Sequence, residues 1–166
     1  MNGTKTEPRS TFDEVVRWVG LAARLLVGGV WIWAGWEKIS DLNQSIHAVQ
    51  AYQILPDGLA TAVGVVLPVI EVAIGLLLVL GLATAPAAAV SGLMFIAFII
   101  GISAAWARGL QIDCGCFGGG GQLDDGENPQ YFIEIGRDVG LLLCSALLIW
   151  RPRTAISVDG RLFRTK

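Results

Sequence analysis

Two cysteines with one glycine between them, Cys114-Gly115-Cys116, sit in the run Gln111-Ile112-Asp113-Cys114-Gly115-Cys116-Phe117-Gly118, which continues into Gly119-Gly120-Gly121. Thiols at i and i+2 bridge only across a tight turn, because a disulfide wants its Cα atoms about 5.5–6 Å apart. Gly115 permits that turn. A ring so small is strained, and its bond is easier to reduce than a structural one, which suits thiol–disulfide exchange by a catalytic or relay pair. Two other readings stay open here: an inert staple, and half of a metal site. Zinc wants four ligands, and the other candidates, His47 and Cys144, are far off in sequence, so no metal is expected.

What must carry this loop is set by composition. Of 166 residues, 54% are apolar and only 16% charged, and the mean hydropathy is +0.60. Such a chain belongs in a lipid bilayer. Its net charge of −2 advertises no nucleic-acid partner. From about Val15 to Trp36 the chain is apolar for longer than the roughly 20 residues that span a bilayer. Residues Glu37 to Gly58 are too polar to span but place Leu42, Ile46, Val49 and Tyr52 at helical spacing, so an amphipathic interfacial helix is expected. Ser40 or Asp41 should cap it and Pro56 should end it. Further spans are expected from about Leu59 to Leu82, Ala85 to Ala107 and Tyr131 to Trp150. The fold class is therefore all-α: an integral membrane four-helix bundle with an interfacial amphipathic helix between helices one and two.

Charge placement gives the orientation. Lys5, Arg9 and Arg17 flank the first span, and Arg151, Arg153, Arg161, Arg164 and Lys166 follow the last. The loop at 108–130 has Arg108 against Asp113, Asp124, Asp125 and Glu127. The expected layout is a cytoplasmic segment over 1–14 with no secretory signal, a transmembrane domain over 15–150, and a basic cytoplasmic tail over 151–166. Cys114 and Cys116 then face the outside of the plasma (inner) membrane, where disulfides persist. Trp18 and Trp150 fall at the inner boundary, and Trp36, Trp106, Tyr52 and Tyr131 at the outer one, as an interfacial belt.

Charges at membrane depth mark candidate functional residues. Counting along the helices puts Arg24 and Glu71 at similar depth, as an expected pair. Arg137 and Asp138, with Glu134 above them, lie just below the cysteine loop and within reach of Lys38. These charges read first as a structural ion network that fixes packing; in the sharper reading Arg137 or Lys38 would favour a thiolate or grip an anionic group. Trp31 and Trp33 lie deeper in helix one, as lipid-facing or packing residues or as the walls of a ring-shaped ligand. Cys144 lies about 20 Å below the loop and serves as an apolar filler.

Together these residues resemble the MauE family of DoxX-like membrane proteins. The resemblance rests on Gly35-Trp36-Glu37-Lys38-Ile39-Ser40-Asp41, on Leu67-Pro68-Val69-Ile70-Glu71 with Gly75, on Asp113-Cys114-Gly115-Cys116-Phe117-Gly118, and on Arg137-Asp138. It implies a four-helix membrane protein associated with maturation of methylamine dehydrogenase, working beside a thioredoxin-like or DsbA-like partner on the external face. The layout is also similar to the quinone-coupled disulfide-forming proteins of the DsbB and vitamin K epoxide reductase types, but their second, embedded Cys-x-x-Cys is absent. Three functions remain in view: a thiol–disulfide relay through Cys114 and Cys116, a non-enzymatic subunit that docks a partner through the loop, and a binder of a quinone or lipid between Trp31, Trp33 and Arg137.

Overall fold

The computed structural model describes residues 11–115, 121–123 and 129–151. Within them the chain runs α1 (Thr11–Ser40), α2 (Leu42–Ala51), α3 (Asp57–Leu80), α4 (Thr84–Ala107), β1 (Ile112–Asp113), β2 (Gly121–Gln122) and α5 (Tyr131–Trp150). The expected all-α membrane bundle is what forms. Helices α1, α3 and α4 are each long and apolar enough to cross a membrane. Helix α5, with 20 residues, is about 30 Å long and gathers Glu134, Arg137 and Asp138 in its first half. Unlike the open loop expected from the glycines, the cysteine segment contains a short antiparallel pair, with Ile112 opposite Gln122 and Asp113 opposite Gly121.

Glycines set how closely α1 and α3 approach. A Cβ on Gly28 would lie 2.9 Å from the Gly75 carbonyl oxygen, and one on Gly35 would lie 2.8 Å from that of Pro68. Small residues at such crossings let helices pack tightly in lipid, where van der Waals contact drives association. Gly28→Ala should therefore push the helices apart and lower the melting temperature in detergent. Gly29→Ala, which meets nothing within 4 Å, should leave it unchanged.

This register corrects the expected Arg24–Glu71 pair. Gly35 faces Glu71, whereas Gly28 faces Gly75, Leu78 and Val79. Arg24, a turn before Gly28 on α1 and 2% exposed, therefore sits toward the α3–α4 link. The depth count failed because the first turns of α3 pack on α2, so the two helices do not start level. Glu71 pairs instead with Lys38, Nζ to Oε1 2.5 Å.

Helix α2 begins as expected, with the Asp41 carboxylate accepting from Gln44 N–H at 3.0 Å. It ends at Ala51, with Gln53 in the left-handed region at φ 50°. Pro56 does not end it. That residue caps α3, where a missing N–H costs nothing. A second proline, Pro68, lies inside α3, and it leaves the carbonyl four residues earlier without its helical donor. That carbonyl belongs to Gly64, and Ser45 Oγ of α2 donates to it at 2.8 Å. Ser45→Ala should cost about 1–3 kcal/mol, the penalty of a buried acceptor left open. Adding Pro68→Ala should recover part of the loss by restoring an N–H, as thermal unfolding of the single and double variants would read.

Candidate functional site

All three polar atoms of Cys114 meet neighbours. Its carbonyl accepts from Tyr52 Oη, at the end of α2, at 3.2 Å. Its N–H points at Glu134 Oε1, 3.5 Å away, and its Sγ lies 3.7 Å from Arg137 Nη2. Glu134, Arg137 and Asp138 stand at i, i+3 and i+4 on α5, so one helical face delivers all of them. Further contacts fix the rim. The Tyr131 hydroxyl accepts from Ile112 N–H at 3.3 Å and donates to the Leu110 carbonyl, while Arg108 donates to the carbonyls of Tyr52 and Gln53. Gly115 takes φ 65°, a left-handed conformation that glycine adopts without steric cost.

Two acids also lie close to the sulfur. Asp113, Cys114 and Glu134 each bring a potential donor atom within 4.8 Å of the others. Asp113 Oδ1 already accepts from Gly115 N–H at 3.3 Å. Glu134 is 9% exposed, and its Oε2 has no hydrogen-bond partner among the described residues. A guanidinium 3.7 Å from Sγ opposes a second cation there, so we read the cluster as acid–base rather than metal-binding.

One layer deeper lies a second group of charges. Arg137 grips Asp138 Oδ1 through Nε at 3.0 Å and Nη2 at 2.9 Å, and below them is the Lys38–Glu71 pair. Lys38 Nζ also stands 5.7 Å from the centre of the Phe98 ring. These four residues and Trp31, Phe95 and Phe98 line a cavity of about 10 Å³, room for about one water molecule. Glu71 Oε2 and Asp138 Oδ2, both buried, have no partner among the described residues. A quinone ring would enter only if the aromatic walls parted.

Of the residues singled out by sequence, Cys114, Arg137 and Asp138 come together, with Lys38, Glu71 and Trp31 directly beneath. Arg24 does not join them. Trp33 leaves the group as well: it is 59% exposed on the outside of α1, and its Nε1 donates to Glu37 Oε1 at 3.3 Å. Trp31 is a core residue, stacked on Phe95 at 4.6 Å and donating to Ser91 Oγ at 2.7 Å. Cys144 packs against the apolar core. His47 lines a separate polar cleft with Gln50, Gln53 and Gln122. Cys116, the acids at 124, 125 and 127, and the basic tail beyond Arg151 lie outside the described residues. Sequence reasoning placed Glu134 above Arg137 and Asp138 and put Tyr52 and Tyr131 in the interfacial belt, but it did not foresee their contacts with the cysteine segment. For Glu134 a signal existed in its i+3 and i+4 spacing to Arg137 and Asp138.

A family profile described as "Methylamine utilisation protein MauE" matches residues 16–151. The chain belongs to the MauE family. The methylamine utilization protein MauE of Paracoccus denitrificans is 31% identical over 100 residues, which is 60% of this chain and 54% of that protein. The match thus spans about half the length of that relative. No solved structure matches the chain. Helices α3, α4 and α5, α1 from Val16 onward, and the whole cysteine loop of this MauE-family protein fall inside the matched range.

Proposed function

We propose that this MauE-family protein serves methylamine utilisation as a membrane-bound thiol–disulfide accessory, with Cys114 as the attacking sulfur. In this reading the loop faces the outside of the plasma membrane, both termini are cytoplasmic, and the partner is a thioredoxin-like or DsbA-like domain engaged in maturing an extracytoplasmic protein. The observation that carries it is the guanidinium of Arg137 at 3.7 Å from Cys114 Sγ, since a nearby cation favours the thiolate that attacks.

The Cys114 thiolate attacks one sulfur of the partner's disulfide, a mixed disulfide forms, and the partner's other sulfur leaves as a thiol. Cys116 then displaces the partner, which departs reduced while the Cys114/Cys116 pair holds the disulfide. Two electrons have moved to the partner. The reverse sequence oxidises a reduced partner through the same bonds. No quinone is needed for the exchange itself.

Cys116→Ser should accumulate a mixed disulfide through Cys114, seen as a reducible higher-mass species in non-reducing gels, and Cys114→Ser should accumulate none. Trapping by Cys114→Ser alone would reverse the assignment, and trapping by neither would favour a loop that only docks a partner. A membrane-impermeant thiol reagent applied to intact cells after mild reduction should modify the loop cysteines. Labelling only in inverted vesicles would overturn the orientation.

A further inference from the structure

A thiol that attacks a disulfide must first lose a proton, and the sulfur that leaves must gain one. Among the described residues, few groups near Cys114 are placed to hold that proton. On the loop, Asp113 is committed to the Gly115 N–H. On α5, Asp138 is held by Arg137 through Oδ1, and on α1 and α3 Lys38 pairs with Glu71; the open oxygens of these two acids, Asp138 Oδ2 and Glu71 Oε2, lie outside the cluster around Sγ. On α4, Arg108 is bonded to carbonyls, and on α2 Tyr52 is bonded to the Cys114 carbonyl while His47 lies in another cleft. Glu134 remains. Its carboxylate is buried, belongs to the cluster that surrounds Sγ within 4.8 Å, and keeps Oε2 without a partner among the described residues.

We propose that Glu134 is the proton acceptor of the Cys114 thiol and the proton donor to the sulfur that leaves. The proton passes from Sγ to the carboxylate as Sγ forms its bond to the partner disulfide, and the carboxylic acid returns it to the departing thiolate. Nothing else is consumed: one S–S bond breaks, one forms, and one proton crosses from thiol to thiol. Arg137, with Nη2 3.7 Å from Sγ, supports the negative charge while the proton is away. The inference rests on the exchange reading of the loop, but its test requires no partner, so the two can fail separately.

The test is the rate of Cys114 alkylation by iodoacetamide, followed from mildly acidic to alkaline pH. It uses the full chain with Cys116→Ser and Cys144→Ser in detergent, so that Cys114 is the sole thiol. Two groups that share a proton titrate as a pair, in two macroscopic steps. The parent profile should show both steps, and adding Glu134→Gln should leave a single step. Should the glutamine variant fail to fold, Glu134→Asp carries the test, because it keeps an acid with a shorter reach and should displace both steps. A single thiol step in the parent that either variant merely reproduces would overturn the proposal and leave Glu134 as an acceptor for the Cys114 N–H alone.

Discussion

Glu71→Ala is expected to destabilise the protein by about 3–5 kcal/mol, because it strands a lysine in a low-dielectric interior. Glu71 is fully buried and Lys38 is 7% exposed, so water cannot replace the missing partner for either. Lys38→Ala should cost a similar amount. The two losses should not add: a Lys38→Met, Glu71→Met double variant should recover most of the stability, since a buried ion pair often contributes little over an apolar pair of similar volume. Unfolding in detergent across the four proteins closes the cycle. Strict additivity would mean that the 2.5 Å contact is not a working pair and that each charge has another counter-group.

Arg137→Met is expected to slow alkylation of Cys114 at neutral pH by about tenfold, roughly the loss of one hydrogen bond to a charged group. Arg137→Lys should restore part of the rate, because it keeps the charge but not the two-pronged grip on Asp138. Arg137→Met should also lower the melting temperature, because it strands the buried Asp138 carboxylate, whereas Arg137→Lys should keep most of it by retaining the charge. Melting temperatures of the two variants check this alongside the rates. An unchanged alkylation rate in Arg137→Met would remove the guanidinium from the chemistry and with it the support for Cys114 as the attacking sulfur.

Much of this arrangement was legible because the relevant signals are local. Long apolar runs located the helices to within a few residues, and the Cys-Gly-Cys turn and the Arg137-Asp138 dipeptide pointed to the two halves of the site. Contacts between distant segments were not legible. Lys38 pairs with Glu71 because α3 overshoots α1 at one end, a register that follows from the docking of α2 and from glycines that interlock at Gly28, Gly35 and Gly75. Hydropathy carries no such register. Tyr52 and Tyr131 were assigned to the interfacial belt on residue type, yet their hydroxyls turn inward to backbone atoms of the cysteine loop. A tyrosine serves at a membrane boundary and as a hydrogen-bonding clasp equally well, and sequence alone does not separate the two uses.

The bond from Ser45 to the Gly64 carbonyl also bears on biogenesis. While α3 is newly inserted, Pro68 leaves that carbonyl open in apolar surroundings, where an unmet acceptor is costly until a neighbouring helix supplies a donor. Helix α2 is made before α3 but cannot dock until α3 is in place, so it settles late. With it comes Tyr52, whose hydroxyl clasps the Cys114 carbonyl. The Cys114 segment is therefore fastened only once the spans beneath it have assembled, so its held geometry is a product of complete assembly and not of the loop alone.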